Sequence, residues 1–164
     1  MTRFLLAGAF ALIAGGASAD ISVSLGSPWD GKSVPKGQQC TLFGGKGSTP
    51  PMQVSGVPAG AAWIIAEFND KSYQPLSRNG GHGIIAWPAK AGTTTLKSVP
   101  GLSAKLPHGA QVMKAARGTG RYKSAGYLPP CSGGRGNTYS VDIKVVNSAG
   151  KVIATEKNIK IGRY

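Results

Sequence analysis

Alternation of apolar and polar residues is the main periodic signal in this chain of 164 residues. The clearest segment is YSVDIKVV, which begins at Tyr139 and has apolar residues at every second position, the period of a half-buried β-strand. A nearly continuous apolar run from Ala61 to Phe68 predicts another strand. Shorter strands are predicted at ISVSL, which starts at Ile21, and at GIIAW, which follows His82.

Turn signals and long loops separate these segments. NSAGK follows YSVDIKVV, and VIATEKNIKI comes next, so the C-terminal part predicts a β-hairpin. Stretches rich in proline and glycine run from Ser27 to Pro58 and from Pro100 to Gly136, and we expect short strands or turns inside them. A small helical turn is expected around Gly109 to Arg117. The chain is therefore predicted to be mainly β.

The N-terminus has the features of a cleaved export signal. Arg3 precedes an apolar core from Phe4 to Ala14, and the small residues ASA precede Asp20. This core is shorter than a transmembrane helix. We therefore predict a signal peptide over residues 1–19, a single domain over residues 20–164, and a periplasmic or secreted location.

Positive charge is the most unusual bulk property of the chain. The formal net charge of +13 becomes +12 when Arg3 leaves with the signal peptide. Ten lysines or arginines and no acidic residue lie between Asp70 and Asp142. Such a stretch attracts anionic partners, for instance a membrane surface, although charge can also serve solubility alone. Export and the lack of a basic helix or aromatic–basic RNA motif argue against nucleic acid.

Cys40 and Cys131 are the two cysteines, and one disulfide is possible in an exported chain. A metal pair is the weaker alternative, because two thiols and scattered histidines lack the ligand spacing of a zinc site. The sequence predicts no metal and no cofactor. It also predicts no enzyme, because no serine, cysteine or histidine triad is legible.

His82 is one of only two histidines, and a loop histidine at the lip of a strand is its simplest interpretation. Asp70 stands where the long apolar strand ends, and the loop from Gly126 to Asn137 leads into a later strand. If neighbouring strand ends bring these three features together, they form a small polar pocket. That pocket would contain a carboxylate, an imidazole and several free backbone N–H groups.

Five stretches, in the same order along the chain, resemble the phosphatidylethanolamine-binding protein family. These proteins are also called Raf kinase inhibitor-like, and the resemblance is to their bacterial, YbhB/YbcL-like branch. The stretches are Ser27-Pro28, Asp30-Gly31 and Val34-Pro35 with QCTLFGG; TPPMQVSGVP from Thr49; Asp70; His82 with the run closing on Pro88-Ala89; and GYLPPCSGGRGNTYSV from Gly126.

The resemblance implies a fold of two antiparallel sheets with long Pro/Gly-rich loops, and a pocket for phosphate or a phospholipid headgroup. In that pocket a neutral imidazole and backbone N–H groups would donate to phosphate oxygens. Asp70 would receive a headgroup ammonium or orient His82. Because both cysteines lie in loops beside the family's pocket, a Cys40–Cys131 disulfide is also implied. The implied ligand-binding residues are Asp70, His82, Pro130, Cys131, Asn137 and Tyr139.

The chain also departs from the family pattern. Asp70 is followed by Lys71 and Ser72, where the family has Pro-Asp. The other departures are Asn137 in place of a histidine, Val54 and Gly83 in place of tryptophans, and NSAGK in place of a helix. Half of the pocket is therefore altered, and its ligand is expected to differ or to be lost.

Two functions remain open at this stage. A non-enzymatic binding protein for an anionic small molecule or phospholipid headgroup would use the pocket. An inhibitory or protein-interaction module, like the kinase and protease inhibitors of the family, would use the basic face and tolerate a vestigial pocket. Of the remaining polar residues, His108 is expected in a surface loop and Glu67 on a solvated face of its strand.

Overall fold

The computed structural model describes residues 20–164, so the predicted signal peptide lies outside the described residues. Within this range the chain forms two antiparallel sheets, as predicted. None of its helical turns has the length and hydrophobicity needed to span a bilayer. The strands are β1 (Ser22–Leu25), β2 (Met52–Val57), β3 (Ala61–Asp70), β4 (Ile84–Pro88), β5 (Gly92–Leu96), β6 (Gln111–Lys114), β7 (Thr138–Asn147) and β8 (Val152–Arg163), and the 3-10 turns are Thr41–Phe43, Gln74–Leu76 and Gly120–Tyr122.

The smaller sheet has the strand order β1-β2-β5, and the larger has the order β6-β4-β3-β7-β8. β7 and β8 form the predicted C-terminal hairpin, and β2 is one of the strands expected inside the first Pro/Gly stretch. β5 was not predicted, because its sequence GTTTL has three successive threonines and no alternation of apolar and polar residues. Its inward positions, Thr94 and Leu96, are nevertheless buried.

The helical turn expected around Gly109 to Arg117 is wrong, because Gln111–Lys114 forms the edge strand β6. Residues 111–114 pair with the start of β4, where Ile85 lies opposite Val112. Val112 packs against the core while its neighbours Gln111 and Met113 are exposed. Pairing with an existing sheet thus overrides a weak local helix preference.

One apolar core holds the two sheets together. It draws Met52, Val54 and Leu96 from the smaller sheet, and Phe68 and Ile143 from the larger. Each of these side chains is no more than 1% exposed. Burial of a large apolar side chain contributes about 1.5–3 kcal/mol, so the packing of sheet on sheet is the main stabilising term.

Glu67 does not lie on a solvated face, contrary to expectation. Glu67 is 9% exposed, and its carboxylate lies 2.5 Å from Nζ of Lys144 on the neighbouring strand β7. A buried carboxylate needs such a partner to offset its lost hydration. The ion pair joins two strands, so its partner was not visible from the neighbouring residues in the sequence.

The Cys40–Cys131 disulfide predicted from the resemblance is present, with a Cα–Cα distance of 5.2 Å. The backbone N–H of Cys40 also donates to the carbonyl of Pro130 at 2.9 Å. Leu128 packs against both half-cystines in a small second core. The bridge therefore joins the two long Pro/Gly loops beside the end of the larger sheet.

Replacing both cysteines, Cys40→Ala with Cys131→Ala, should lower the free energy of unfolding by roughly 2–5 kcal/mol. The physical reason is that the disulfide restricts the unfolded chain across 91 residues of sequence separation. Urea unfolding of the two proteins measures the difference. Reductant should destabilise the wild-type protein and leave the double variant unchanged. Two free thiols per chain in denatured, unreduced wild-type protein would contradict the assignment.

Candidate functional site

Antiparallel pairing gathers several chain ends at one end of the larger sheet. β3 ends there at Asp70, which lies opposite Tyr139 at the start of β7. Directly opposed residues share a face of the sheet, so these two side chains are neighbours. The backbone N–H of His82 donates to the carbonyl of Phe68 at 2.8 Å, which places His82 beside them. The end of β8 reaches the same place, where Arg163 pairs with Thr138.

His82 is held by Leu128 through both its backbone and its side chain. The N–H of Leu128 donates to the carbonyl of His82 at 2.8 Å, and Nδ1 of His82 lies 2.8 Å from the carbonyl oxygen of Leu128. A carbonyl oxygen can only accept, so Nδ1 carries the proton in this contact. In the neutral ring, Nε2 is then an acceptor. The expectation that neutral imidazole donates to an anion is therefore wrong for this geometry.

Burial controls the charge of this imidazole. His82 is 3% exposed, and desolvation lowers its pKa below the usual 6.5, while the bond to Leu128 and the charge of Asp70 act in the opposite direction. The ring is therefore neutral at pH 7 and above. Its orientation comes from the Leu128 carbonyl, which corrects the expectation that Asp70 orients it.

Asp70 is a buried carboxylate with a local hydrogen-bond partner on each oxygen. Oδ1 accepts from the backbone N–H of Ser72 at 2.9 Å, and Oδ2 accepts from Nδ2 of Asn137 at 2.7 Å. The residue is 4% exposed. Asn137, which stands where the family has histidine, thus ties the end of β3 to the loop before β7. Its amide donor was expected to face a ligand, and one of its hydrogens is used here instead.

The phenol of Tyr139 contributes a hydroxyl to the same cluster. Its oxygen accepts from the backbone N–H of Cys131 at 3.1 Å, and its own hydrogen has the nearby carboxylate of Asp70 as an acceptor. Its ring meets that of His82 edge-on, with centroids 5.3 Å apart. Burial, aided by the nearby charge of Asp70, raises the pKa of Tyr139 to about 12. The hydroxyl therefore stays protonated at physiological pH.

The loop between residues 130 and 137 closes over this cluster. Pro130 is buried and offers no N–H, so its role is the carbonyl contact to Cys40. The hydroxyl of Ser132 donates to the carbonyl of Tyr164, whose N–H donates to the carbonyl of Asn137 at 3.0 Å. Tyr164 thereby bridges the two ends of the loop.

Sequence reasoning missed Leu128, Ser132 and Tyr164, and it also missed two residues that shape the approach to His82. Oδ1 of Asn69 accepts from the N–H groups of Gly80 and Gly81 at 3.0 and 3.3 Å. The guanidinium of Arg117 donates to three backbone carbonyls between residues 75 and 79. Most of these contacts involve backbone atoms, which leave no signature in residue type.

Gly83 explains one departure from the family pattern. A Cβ at this position would lie 2.9 Å from the carbonyl oxygen of Gly126 and 3.0 Å from Cα of Tyr127, and its φ of +112° also disfavours other residues. The glycine lets the segment that carries Leu128 pack directly against the start of β4. The tryptophan of the family would not fit this approach.

Two surface cavities lie away from the cluster. One is bordered by Trp87, Pro88, Thr95, Lys97 and His108, and the other by the Lys46–Gly47 turn, Leu102 and Pro129 among others. His108 is exposed in its loop, as expected. Within residues 20–164, no three His, Cys, Asp or Glu side chains are grouped in a way that could hold a metal ion.

Comparison with known proteins identifies the fold. No protein-family profile and no curated protein matches the chain. A solved structure from Chlamydia trachomatis, described as a homologue of phosphatidylethanolamine-binding protein, superposes with a TM-score of 0.55. It shares 20% sequence identity, over 90% of this chain and 98% of that chain. The predicted two-sheet fold is confirmed, whereas the YbhB/YbcL-like branch and export remain predictions.

Stability should fall as the pH is lowered below about 6.5, because the unfolded state then protonates His82 while the buried ring, whose pKa is lowered, does not. The contribution of the neutral ring is fully present above pH 6.5 and is lost as the pH falls toward the native pKa. Urea unfolding between pH 5 and pH 8 measures this slope.

The slope should shrink in His82→Gln and persist in His108→Asn, which removes the exposed histidine at a positive-φ position that asparagine tolerates. An unchanged slope in His82→Gln would assign the pH dependence to other groups.

Proposed function

We propose that this protein is an exported, non-enzymatic binding protein. Its ligand is a small phosphate-like anion, either free or as a phospholipid headgroup, held at the cluster of Asp70, His82, Asn137 and Tyr139. The observation that carries the proposal is the meeting of an imidazole, a protonated phenol and a loop of backbone N–H groups at one sheet end. A disulfide is consistent with an oxidising compartment.

Positive charge around the cluster supports an anionic ligand. Arg135 is exposed in the loop before β7, and Nε of Arg163 donates to the carbonyl of Gly136 at 3.0 Å on the same loop. Lys71 follows Asp70 directly and is also exposed. These three cations offset the single carboxylate of Asp70, which is already solvated by two protein N–H donors.

The absence of an activated nucleophile among residues 20–164 supports binding rather than catalysis. Cys131 is in the disulfide, and the hydroxyl of Ser132 donates to a backbone carbonyl. Nδ1 of His82 is occupied by Leu128, and no serine or threonine hydroxyl bonds to the ring. Nucleophilic catalysis needs a nucleophile within hydrogen-bond reach of a base, and the cluster offers none.

Entry of a ligand requires a local opening, since Asp70 and His82 are only 4% and 3% exposed. The contact that we expect to break is the hydrogen bond between Ser132 and Tyr164. Its loss costs little, because both groups then reach water or the ligand. The core and the disulfide remain intact during this step.

Inorganic phosphate should raise the melting temperature of the wild-type protein, because it binds only the native state. Tyr139→Phe should weaken phosphate binding by roughly 10- to 100-fold, the equivalent of one charge-assisted hydrogen bond. Tyr122→Phe, at a tyrosine that is 39% exposed, is the matched control and should bind as the wild-type protein does. Calorimetry measures both affinities. The proposal fails if neither phosphate nor phosphoethanolamine stabilises or binds the protein.

A second candidate is an interaction module for anionic surfaces, and the exposed basic stretch favours it. Nine of the ten basic residues between Asp70 and Asp142 are exposed, and Arg117 is half-buried. The surface therefore carries a long-range attraction for anionic membranes or an acidic protein target. This candidate does not need the cluster to bind anything.

Association with vesicles that contain anionic lipid should weaken as salt is raised, because exposed charges act through a screened attraction. The variant Arg121→Glu with Lys123→Glu should reduce co-sedimentation. The control Lys151→Glu with Lys157→Glu makes the same charge change at exposed positions outside the stretch and should have a smaller effect. Equal binding to neutral and anionic vesicles would rule this candidate out.

A further inference from the structure

The ring of His82 presents an acceptor, not a donor, to the cluster. Its Nδ1 proton is fixed on the carbonyl of Leu128, and the returning bond from the Leu128 N–H holds the two backbones in register. Nε2 has no hydrogen-bond partner among residues 20–164. The lone pair on Nε2 is thus the hydrogen-bond acceptor of His82 that no protein group uses.

The charged and titratable groups around His82 reinforce this polarity. Asp70 on β3 supplies oxygen acceptors, and Tyr139 on β7 supplies a hydroxyl whose oxygen already accepts from Cys131. Arg117, on the segment after β6, opposes protonation of the ring. Its guanidinium is committed to the carbonyls of Pro75, Arg78 and Asn79. Tyr139 is therefore a donor for a ligand, and His82 is an acceptor.

From this geometry we infer that the cluster selects an oxyanion that carries its own proton, namely hydrogen phosphate, over sulfate. The inference rests on the proposed function and specifies its ligand. Hydrogen phosphate donates its P–O–H to Nε2 of His82 and accepts from the hydroxyl of Tyr139, whose hydrogen turns to it from Asp70. Sulfate has the same shape and charge but no hydrogen. One of its oxygens would therefore face the lone pair of Nε2, and the two acceptors would repel each other.

The discrimination follows from the hydrogen bond that Nε2 of His82 gains from hydrogen phosphate and loses with sulfate. Hydrogen phosphate replaces water at Nε2 with its own hydrogen, whereas sulfate excludes that water and offers no hydrogen in return. For one bond to a charged ligand, the expected preference is roughly 10- to 100-fold in affinity. Surface lysines and arginines cannot produce it, because they attract both anions equally.

The same reasoning separates free phosphate from a lipid source. The phosphodiester of a phospholipid has no P–O–H, so it can satisfy Nε2 only through another donor, such as the ammonium of ethanolamine. Dimethyl phosphate lacks both donors, and glycerophosphoethanolamine has the ammonium and two glycerol hydroxyls but no P–O–H. The four probes therefore differ in the hydrogen that each can offer to His82.

The test is calorimetry on the mature protein at pH 7.5 with inorganic phosphate, sulfate, dimethyl phosphate and glycerophosphoethanolamine. We expect phosphate to bind at least tenfold more tightly than sulfate and dimethyl phosphate. Binding of glycerophosphoethanolamine as tight as that of phosphate identifies a headgroup ammonium or hydroxyl as an equivalent donor, and its failure to bind identifies free phosphate. Sulfate binding equal to phosphate binding overturns the inference while leaving anion binding intact. If none of the four binds, the proposed function and this selectivity fall together.

A variant and a spectroscopic readout make the role of His82 specific. His82→Gln offers an amide that can present either a donor or an acceptor, so the ratio of phosphate to sulfate affinity should fall toward one. His108→Asn is the control for loss of a histidine and should keep the ratio. Nitrogen-15 spectra of the wild-type imidazole at pH 7.5 should show a protonated Nδ1 and a bare Nε2. A protonated Nε2 in the neutral ring would overturn the inference whether or not any anion binds.

Discussion

The paired contacts between His82 and Leu128 are the constraint on which the candidate site depends. The two backbones exchange one hydrogen bond, and the imidazole adds a second to the carbonyl of Leu128. These bonds fasten the long loop before β7 to the turn before β4, and so bring Tyr127 against Phe68, with ring centroids 4.7 Å apart. They also decide which nitrogen of the imidazole carries its proton. One local interaction thus positions a loop and sets the chemistry of a side chain.

Other polar groups of the cluster likewise have structural partners before any ligand arrives. Asp70 is bonded to Ser72 and Asn137, and the N–H of Cys131 is bonded to Tyr139. Such satisfaction is needed because the cluster is buried, and an unpaired buried polar group costs about 1–3 kcal/mol. A ligand can therefore use the lone pair of His82, the second amide hydrogen of Asn137 and the backbone N–H groups of the loop before β7. It competes with Asp70 for the hydroxyl hydrogen of Tyr139.

The strands that were predictable from sequence are those whose apolar pattern follows the sheet. β3, β7 and β8 carry long runs or clear alternation, and all three were found. β5 was missed and β6 was expected as a helical turn, because their inward positions are few and the pairing partner, not the local sequence, makes them strands. Glu67 shows the same limit, since its burial depends on Lys144, which lies 77 residues further along the chain.

The candidate site divides in a similar way. Asp70, His82, Asn137 and Tyr139 were found through the order and spacing of motifs that resemble a known family. Their hydrogen-bond partners were not, because the carbonyls of Leu128 and Pro130 and the N–H of Ser72 are backbone groups that every residue type supplies. Residue identity can therefore nominate the members of a polar cluster. The direction in which each one donates or accepts depends on backbone positions that only the fold determines.

Because of its altered residues, the cluster can select among anions but does not itself attract them. Asn137 stands in place of a histidine, and the second aspartate of the family is missing. The cluster therefore has one carboxylate, that of Asp70, and one imidazole, that of His82, which is neutral. The cluster therefore has no positive charge of its own with which to attract an anion. Attraction must come from the exposed lysines and arginines, whose effect is long-ranged and screened by salt. Selection comes from buried hydrogen bonds, which are short-ranged and little affected by salt. Added salt should therefore weaken the attraction of all anions to the surface alike. The order of their affinities for the cluster should stay unchanged.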